Sequence, residues 1–141
     1  MSEEKRVFQV QRIYVKDVSF EVPGAPEVFL DSGQPKVSVQ LGNHARKLNE
    51  GDYEIVLDVT VTAAINDKTA YIAEVKQAGI FAITGAAKEE VDQLVGAYCP
   101  SILFPYLRET IASLTGKGSF PPFYLQPISF DALYQQAQAK R

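Results

Sequence analysis

The chain of 141 residues has no tryptophan and only one cysteine, one histidine and one methionine. One Cys and one His cannot assemble the four protein ligands of a structural zinc site, so no metal is expected. Cys99 has no partner for an intrachain disulfide, which fits a reducing compartment. Cys99 and His44 fall in different halves of the expected fold, and nothing positions them as nucleophile and base. They read as a buried thiol and a solvated loop imidazole, which argues against an enzyme. The region of Gly79 and Gly85 carries neither a P-loop nor a dinucleotide fingerprint, so no nucleotide or other cofactor is expected. No window approaches the roughly 20 apolar residues that span a bilayer, so direct membrane insertion is not expected. The segment Met1-Ser2-Glu3-Glu4-Lys5-Arg6 leads straight into strand-like alternation at Val7, without the apolar stretch of a secretory signal. Cytoplasm is the natural assignment. A net charge of -3 supplies no general positive field for a phosphate backbone, so nucleic acid is excluded as a probable class of partner while a basic protein segment is not.

What is present is a composition of 46% hydrophobic and 22% charged residues, ordinary for a packed domain. The length suits a single domain over 1–141. Val7 to Val22 alternates as a long strand, with Phe8, Val10, Tyr14, Val18 and Phe20 on one parity and Gln9, Gln11, Asp17, Ser19 and Glu21 on the other. Ile13 and Val15 break the polar side, and Arg12 and Lys16 break the apolar side, so the middle of the strand is expected to meet a neighbour or partner. Pro23-Gly24-Ala25-Pro26 ends it, and the loop up to Pro35 is long enough to cross other strands. Lys36 to Leu41 reads as a short second strand that Gly42-Asn43 ends or bulges. Tyr53 to Ile65 alternates cleanly, and Thr69 to Ile83 follows after Asn66-Asp67-Lys68, as in a hairpin.

From Lys88 the period changes: Val91, Leu94, Val95 and Tyr98 fit one face of a helix. Pro100 and Pro105 predict a break or kink between Ala97 and Tyr106, after which the helix runs to Thr115. Gly116-Lys117-Gly118 is a stop. Phe120 to Pro127 is too rich in proline to be helical and reads as an apolar, extended connector. Ser129 caps a last helix, and Gln138 to Arg141 should fray. Strands followed by helices make the class α+β.

Three stretches carry a family resemblance. Gln11-Arg12-Ile13-Tyr14-Val15-Lys16-Asp17-Val18-Ser19-Phe20-Glu21 is the first, Gly96-Ala97-Tyr98-Cys99-Pro100-Ser101-Ile102-Leu103-Phe104-Pro105-Tyr106 the second, and Phe130-Asp131-Ala132-Leu133-Tyr134 the third. With them the chain resembles the SecB family of protein-export chaperones from about Val7 to Tyr134. The resemblance implies a four-stranded antiparallel sheet, a crossover connection between the first two strands, and helices on one side. It also implies a homotetramer, a dimer of dimers, that binds unfolded precursor proteins and the motor SecA. The chain departs from the family in carrying Gly33 where a Trp commonly precedes the Gln-Pro pair, which leaves one wall of the expected peptide groove more open. It also stops at Arg141, where many relatives continue into an acidic tail, so a SecA contact made by such a tail is expected to be missing or weakened.

Three surfaces are candidates for function. Asp17 and Glu21 share a strand face, and Glu54, Asp58 and Glu74 lie on outward parities of later strands, so a flat negative patch is possible. By spacing alone such carboxylates are simply solvated. The resemblance instead associates Asp17, Glu21, Ile72 and Glu74 with docking of a basic zinc-binding segment of SecA. The second surface joins Phe120, Phe123, Tyr124 and Leu125 of the connector, with Pro121 and Pro122, to Val28, Phe29 and Leu30 of the first loop. Any one aromatic here reads first as packing on the sheet or at a subunit contact; as a group they support a groove for clients, which an exposed strand edge would extend. The third is assembly: Ile13 and Val15, with Ile102, Leu103, Tyr106, Leu107, Ile111 and Leu114, exceed what one small sheet covers. A monomer whose helices cover the sheet fits the pattern equally well without the resemblance.

The leading expectation is a chaperone that keeps secretory precursors competent for translocation and delivers them to SecA, using no ATP of its own. A SecB-like chaperone dedicated to one client, such as an antitoxin, is the alternative. A small-ligand enzyme on the same concave sheet is a third reading.

Overall fold

A computed structural model of the chain describes residues 5–140. The elements run β1 (Val7–Glu21), a 3-10 turn (Glu27–Leu30), β2 (Lys36–Asn49), β3 (Asp52–Ile65), β4 (Lys68–Thr84), α1 (Lys88–Gln93), a π turn (Leu94–Tyr98), α2 (Cys99–Lys117) and α3 (Phe130–Ala139). The strands form one antiparallel sheet in the order β1-β4-β3-β2, so the loop after β1 crosses to the opposite edge. This is the expected α+β class and crossover.

The alternation in β3 decides which face is covered. Ile55, Leu57, Val59, Val61 and Ala63 are buried on one side together with Tyr71, Val75, Phe81 and Ile83 of β4. Leu103, Leu107 and Ile111 recur on one side of α2 and close over them in the same core. Burial of each such aliphatic side chain contributes about 1.5–3 kcal/mol, and a register slip of one residue would turn the whole set to the other face. The other face of the sheet has no helix upon it among the described residues. Between β3 and β4, Asn66 and Asp67 adopt φ of 53° and 62°. These left-handed values are what a two-residue hairpin of matching twist requires.

β1 departs from the expected alternation. Register shifts fall between Val10 and Arg12 and between Val15 and Asp17. Each bulge inserts an extra residue and flips the parity that follows. Phe8, Val10, Ile13, Val15, Val18 and Phe20 therefore all pair opposite helix-face positions of β4, from Ile83 to Ala73. Ile13 and Val15 thus lie on the apolar side and Tyr14 on the polar one, which corrects the simple two-parity assignment. The side-chain amide of Gln77 donates to the Tyr14 carbonyl at 3.1 Å, beside the second bulge.

Two further expectations change. β2 does not stop at Leu41; Gly42 continues the ladder opposite Asp58, and the strand reaches Asn49. A Cβ at Gly42 would lie 2.6 Å from Asp58 Oδ1, so the glycine serves close cross-strand approach rather than a chain reversal. The helix break is absorbed differently as well. The Cys99 N–H bonds the Leu94 carbonyl five residues back, a widened turn that precedes Pro100 at the second position of α2. Pro105 lies inside α2 without ending it. The hydrogen bond that its ring removes is outweighed by the burial of Leu103, Leu107 and Ile111 around it.

α3 is capped by Ser129, whose hydroxyl accepts the Ala132 N–H at 3.2 Å. It docks on the π turn through Tyr134, whose ring leaves no space for a side chain at Gly96: an added Cβ would meet it at 2.5 Å. Gly96→Leu should therefore displace α3, at about 1–3 kcal/mol of overpacking cost. Limited proteolysis checks this by early cleavage within 130–140; unchanged protection would contradict the packing.

Candidate functional surfaces

The open face of the sheet is set out in rows by register. Glu21 lies opposite Ile72, Ser19 opposite Glu74 and Asp17 opposite Lys76. Thr62, Thr60 and Asp58 of β3 continue the same rows. The register thus brings Asp17, Glu21, Ile72 and Glu74 together at one end of the open face. Asp17, Glu21 and Glu74 are exposed, while Ile72 is half-buried. A shallow depression of about 220 Å³ lies beside them, lined by Asp17, Asp58, Thr60, Glu74 and Lys76.

Glu54 and Asp58 do not join them as free carboxylates. Glu54 is only 6% exposed although it stands on the open face. The Tyr14 hydroxyl donates to it, Lys16 Nζ approaches both its oxygens at 3.0 Å, and Arg46 lies at 3.6 Å. The hydrogen bond from Tyr14 is the largest influence holding the Glu54 carboxyl below its ordinary value, against the opposing effect of burial. Burial, then the bond to Glu54, pushes the Tyr14 phenol up to about 12. Asp58 is paired with His44, Nε2 to Oδ2 at 2.8 Å. His44 is accordingly a strand residue on the open face and not a loop histidine.

The helix side carries the apolar surface. Ser119, with φ of 70°, turns the chain out of α2, and its N–H bonds the Gly116 carbonyl. The connector is then pinned at two points. The Phe123 N–H donates to Thr115 Oγ1 at 2.9 Å, and Arg108 Nε donates to the Leu125 carbonyl at 3.1 Å. The Arg108 guanidinium also lies 4.7 Å from the centre of the Tyr124 ring. Aromatic rings link connector and first loop: Phe29 to Phe120 at 5.4 Å, Phe120 to Tyr71 at 4.9 Å, and Tyr71 to Phe20 at 5.9 Å. Gly118 lets this row close, since a Cβ there would fall 2.5 Å from the Phe20 ring.

The residues singled out from the sequence divide by burial. Leu30 is 85% exposed, Tyr124 53% and Phe29 47%, while Phe120 and Phe123 are half-buried. Val28 and Leu125 are buried, at 5% and 3%, and support the surface from beneath. Arg108, Thr115 and Tyr71 went unrecognised in the sequence; an arginine within an amphipathic helix gives no local sign that it reaches a backbone carbonyl 17 residues later. A separate strip of exposed apolar side chains runs over the helix side of β1 at Val10, Val15 and Val18, with Tyr98 and Tyr106 exposed on the helical segment.

Cys99 is buried, and burial pushes its thiol up to about 12, which leaves it unreactive. No cluster of three or more metal-binding side chains occurs among the described residues. Within them no helix is long and apolar enough to cross a membrane.

The profile of the family described as preprotein translocase subunit SecB matches residues 1–141. The chain belongs to the SecB family. Its relatives include the protein-export protein SecB of Alcanivorax borkumensis, 61% identical over 95% of this chain and 87% of that one. The SecB of Methylococcus capsulatus is 51% identical over 96% and 90% of the two chains. Among solved structures, the Mycobacterium tuberculosis Rv1957 SecB-like chaperone, in complex with a ChAD peptide from the Rv1956 HigA1 antitoxin, superposes with a TM-score of 0.72. It covers 86% of this chain and 91% of its own at 17% identity, a likeness of fold. SecB-family membership makes this chain a chaperone of protein export and not an enzyme.

The charge of Glu54 has a consequence for stability. A carboxyl held below its ordinary 4.5 stabilises the fold above that pH and loses the contribution as pH falls through its folded value. Wild type should melt higher than Glu54→Gln at neutral pH, and the difference should shrink steadily on acidification below 4.5. Thermal melts across that range check the sign; a gap that widened in acid would contradict it.

Proposed function

We propose that the protein holds unfolded secretory precursors on the apolar surface of its helix side and presents the acidic end of its open face to the motor SecA. The observation that carries the reading is the separation of two unlike surfaces by one sheet. Phe29, Leu30 and Tyr124 stand exposed on one side, and Asp17, Glu21 and Glu74 on the other.

Clients of such a chaperone share exposed apolar side chains and no particular sequence. Phe29, Leu30, Phe120, Phe123 and Tyr124 offer area without strong directional demands, while Val28 and Leu125 anchor the backbone beneath. The acidic end works differently. Carboxylates fixed on a rigid sheet accelerate encounter with a basic segment and set its orientation, and Ile72 adds an apolar contact beside Glu21. The exposed strip of Val10, Val15 and Val18, together with exposed Tyr106 on the helical segment, suits burial by a second copy in a dimer, and pairing of dimers would give the tetramer. Such a particle works in the cytoplasm, where precursors await export.

Phe29→Ser with Leu30→Ser should speed aggregation of a denatured precursor relative to wild type, because both side chains present apolar area to solvent and neither belongs to the buried core. Light scattering during refolding of the precursor checks it, and native mass measurement reports the oligomer and client stoichiometry together. Wild-type protein that left aggregation unchanged would sink the holding role. Protection of one client alone would favour a dedicated chaperone. Glu74→Lys should weaken SecA binding about two- to fivefold, the range of an exposed ion pair, and leave client holding intact.

A further inference from the structure

The open face is not uniformly acidic. Beyond Lys76 the rows change sign: Tyr14 lies opposite Ala78 and Arg12 opposite Ile80 on β1, while His44 and Arg46 extend these rows from β2 through Val56 and Glu54. A basin of about 380 Å³ opens here, lined by Lys16, Arg46 and Lys76 around Glu54 and Asp58, with Val56 among its apolar lining. Three fixed cations face two carboxylates, both of which already have partners: Tyr14, Lys16 and Arg46 on Glu54, and His44 on Asp58. Lys76 makes no ion pair among the described residues. Arg12 adds a further exposed cation next to the basin. Asp52, towards the end of the sheet, is held by Gln11 at 3.2 Å, and Lys36 occupies a corner beyond Thr62. The face is therefore bipolar, with Asp17, Glu21 and Glu74 at one end, the cation-rimmed basin in the other half, and Lys76 on the boundary.

We infer that this basin is a second docking subsite, which accepts a carboxylate side chain of the same protein that lays its basic segment on the acidic end. The inference rests on the docking proposed above and adds to it a requirement on the partner. At about 3.3 Å per residue, Lys76 lies roughly 7 Å and the row of Arg46 roughly 20 Å along the sheet from Glu74. The docking segment must carry Asp or Glu within roughly that span of its Lys and Arg residues. Glu54 has a defined part in this. Its single carboxylate is shared by Lys16 and Arg46, with Tyr14 as a neutral third contact, so the two cations are gathered at one rim and carry one positive charge more than they meet. A uniformly negative face would bind basic segments in either direction, whereas a bipolar one admits a single orientation, since the reversed one juxtaposes like charges.

The two charge patterns predict opposite signs. If the face reads only positive charge, Lys76→Glu and Arg46→Gln make it more negative and tighten the binding of SecA. With the basin as a carboxylate subsite, each weakens that binding about two- to fivefold. Both positions are exposed, and Glu54 keeps Tyr14 and Lys16 when Arg46 is lost. Synthetic peptides give a second readout. A peptide bearing only Lys and Arg should bind Lys76→Glu at least as well as wild type, and one that adds Asp at the stated spacing should prefer wild type. Tightened or unchanged SecA binding in both variants, alongside weakening by Glu74→Lys, would overturn the basin and leave the acidic docking intact. Indifference of all three variants would overturn both.

Discussion

Burial of Leu103, Leu107 and Ile111 against the odd-numbered side chains of β3 and β4 is the constraint from which the rest of the structure follows. A sheet has two faces and a period of two, so committing one parity to the helix leaves the other to solvent, residue by residue. Tyr71 belongs to the aromatic row beneath the connector, and Ile72, the next residue, to the acidic end of the open face. The register that satisfies the core therefore also fixes which carboxylates become neighbours. Glu21 and Glu74 are 53 positions apart in the chain, yet they stand in adjacent rows because hydrophobic packing leaves them no other place.

Where the period stayed pure, the sequence was legible. β3 alternates without interruption, and from Leu57 to Ile65 its buried set is the one that alternation names; only near Glu54 and Val56 is the open parity buried as well. β1 reads ambiguously because two bulges reset its parity. The misplaced Arg12, Ile13, Val15 and Lys16 marked the disturbance, but a break in alternation does not say whether a partner or an extra residue causes it. β2 is an edge strand whose second half, Gly42 to Asn49, is polar on both sides, so it carries no amphipathic pattern to follow. At Pro105 local propensity predicted a break that tertiary burial overrides, and the chain places its irregularity at Leu94–Tyr98 instead. The candidate surfaces were legible only in part. Face membership of Asp17, Glu21 and Glu74 follows from counting. The neutralisation of Glu54 does not, because it depends on Tyr14, Lys16 and Arg46 from two other strands.

The apolar side shows how an exposed greasy segment is kept in place. An extended chain with Pro121, Pro122 and Pro127 lacks three donors, and its remaining backbone groups cannot form a ladder. Thr115 and Arg108 replace the ladder with side-chain bonds at Phe123 and Leu125. The pins hold the backbone while Tyr124 between them remains exposed. Fixing the main chain in advance removes part of the ordering cost when an unfolded chain lands on the surface. Met is nearly absent, so adaptability has to come from Leu30 and from rotation of aromatic rings rather than from flexible thioethers.

A protein that binds unfolded chains also has to avoid polymerising through its own sheet, and the two edges meet that demand differently. β1 is bent by its two bulges, which interrupt the row of backbone donors and acceptors that an incoming strand would need. β2 is long and pairs regularly from Lys36 to Lys47, but it carries Lys36, Arg46 and Lys47, whose charge and hydration oppose close approach of a second β2. One of them, Arg46, also stands at the cationic rim of the open face. The polarity that divides the face is thus continuous with the protection of its edge: charge that keeps the sheet soluble also determines which direction a docking segment can take across it.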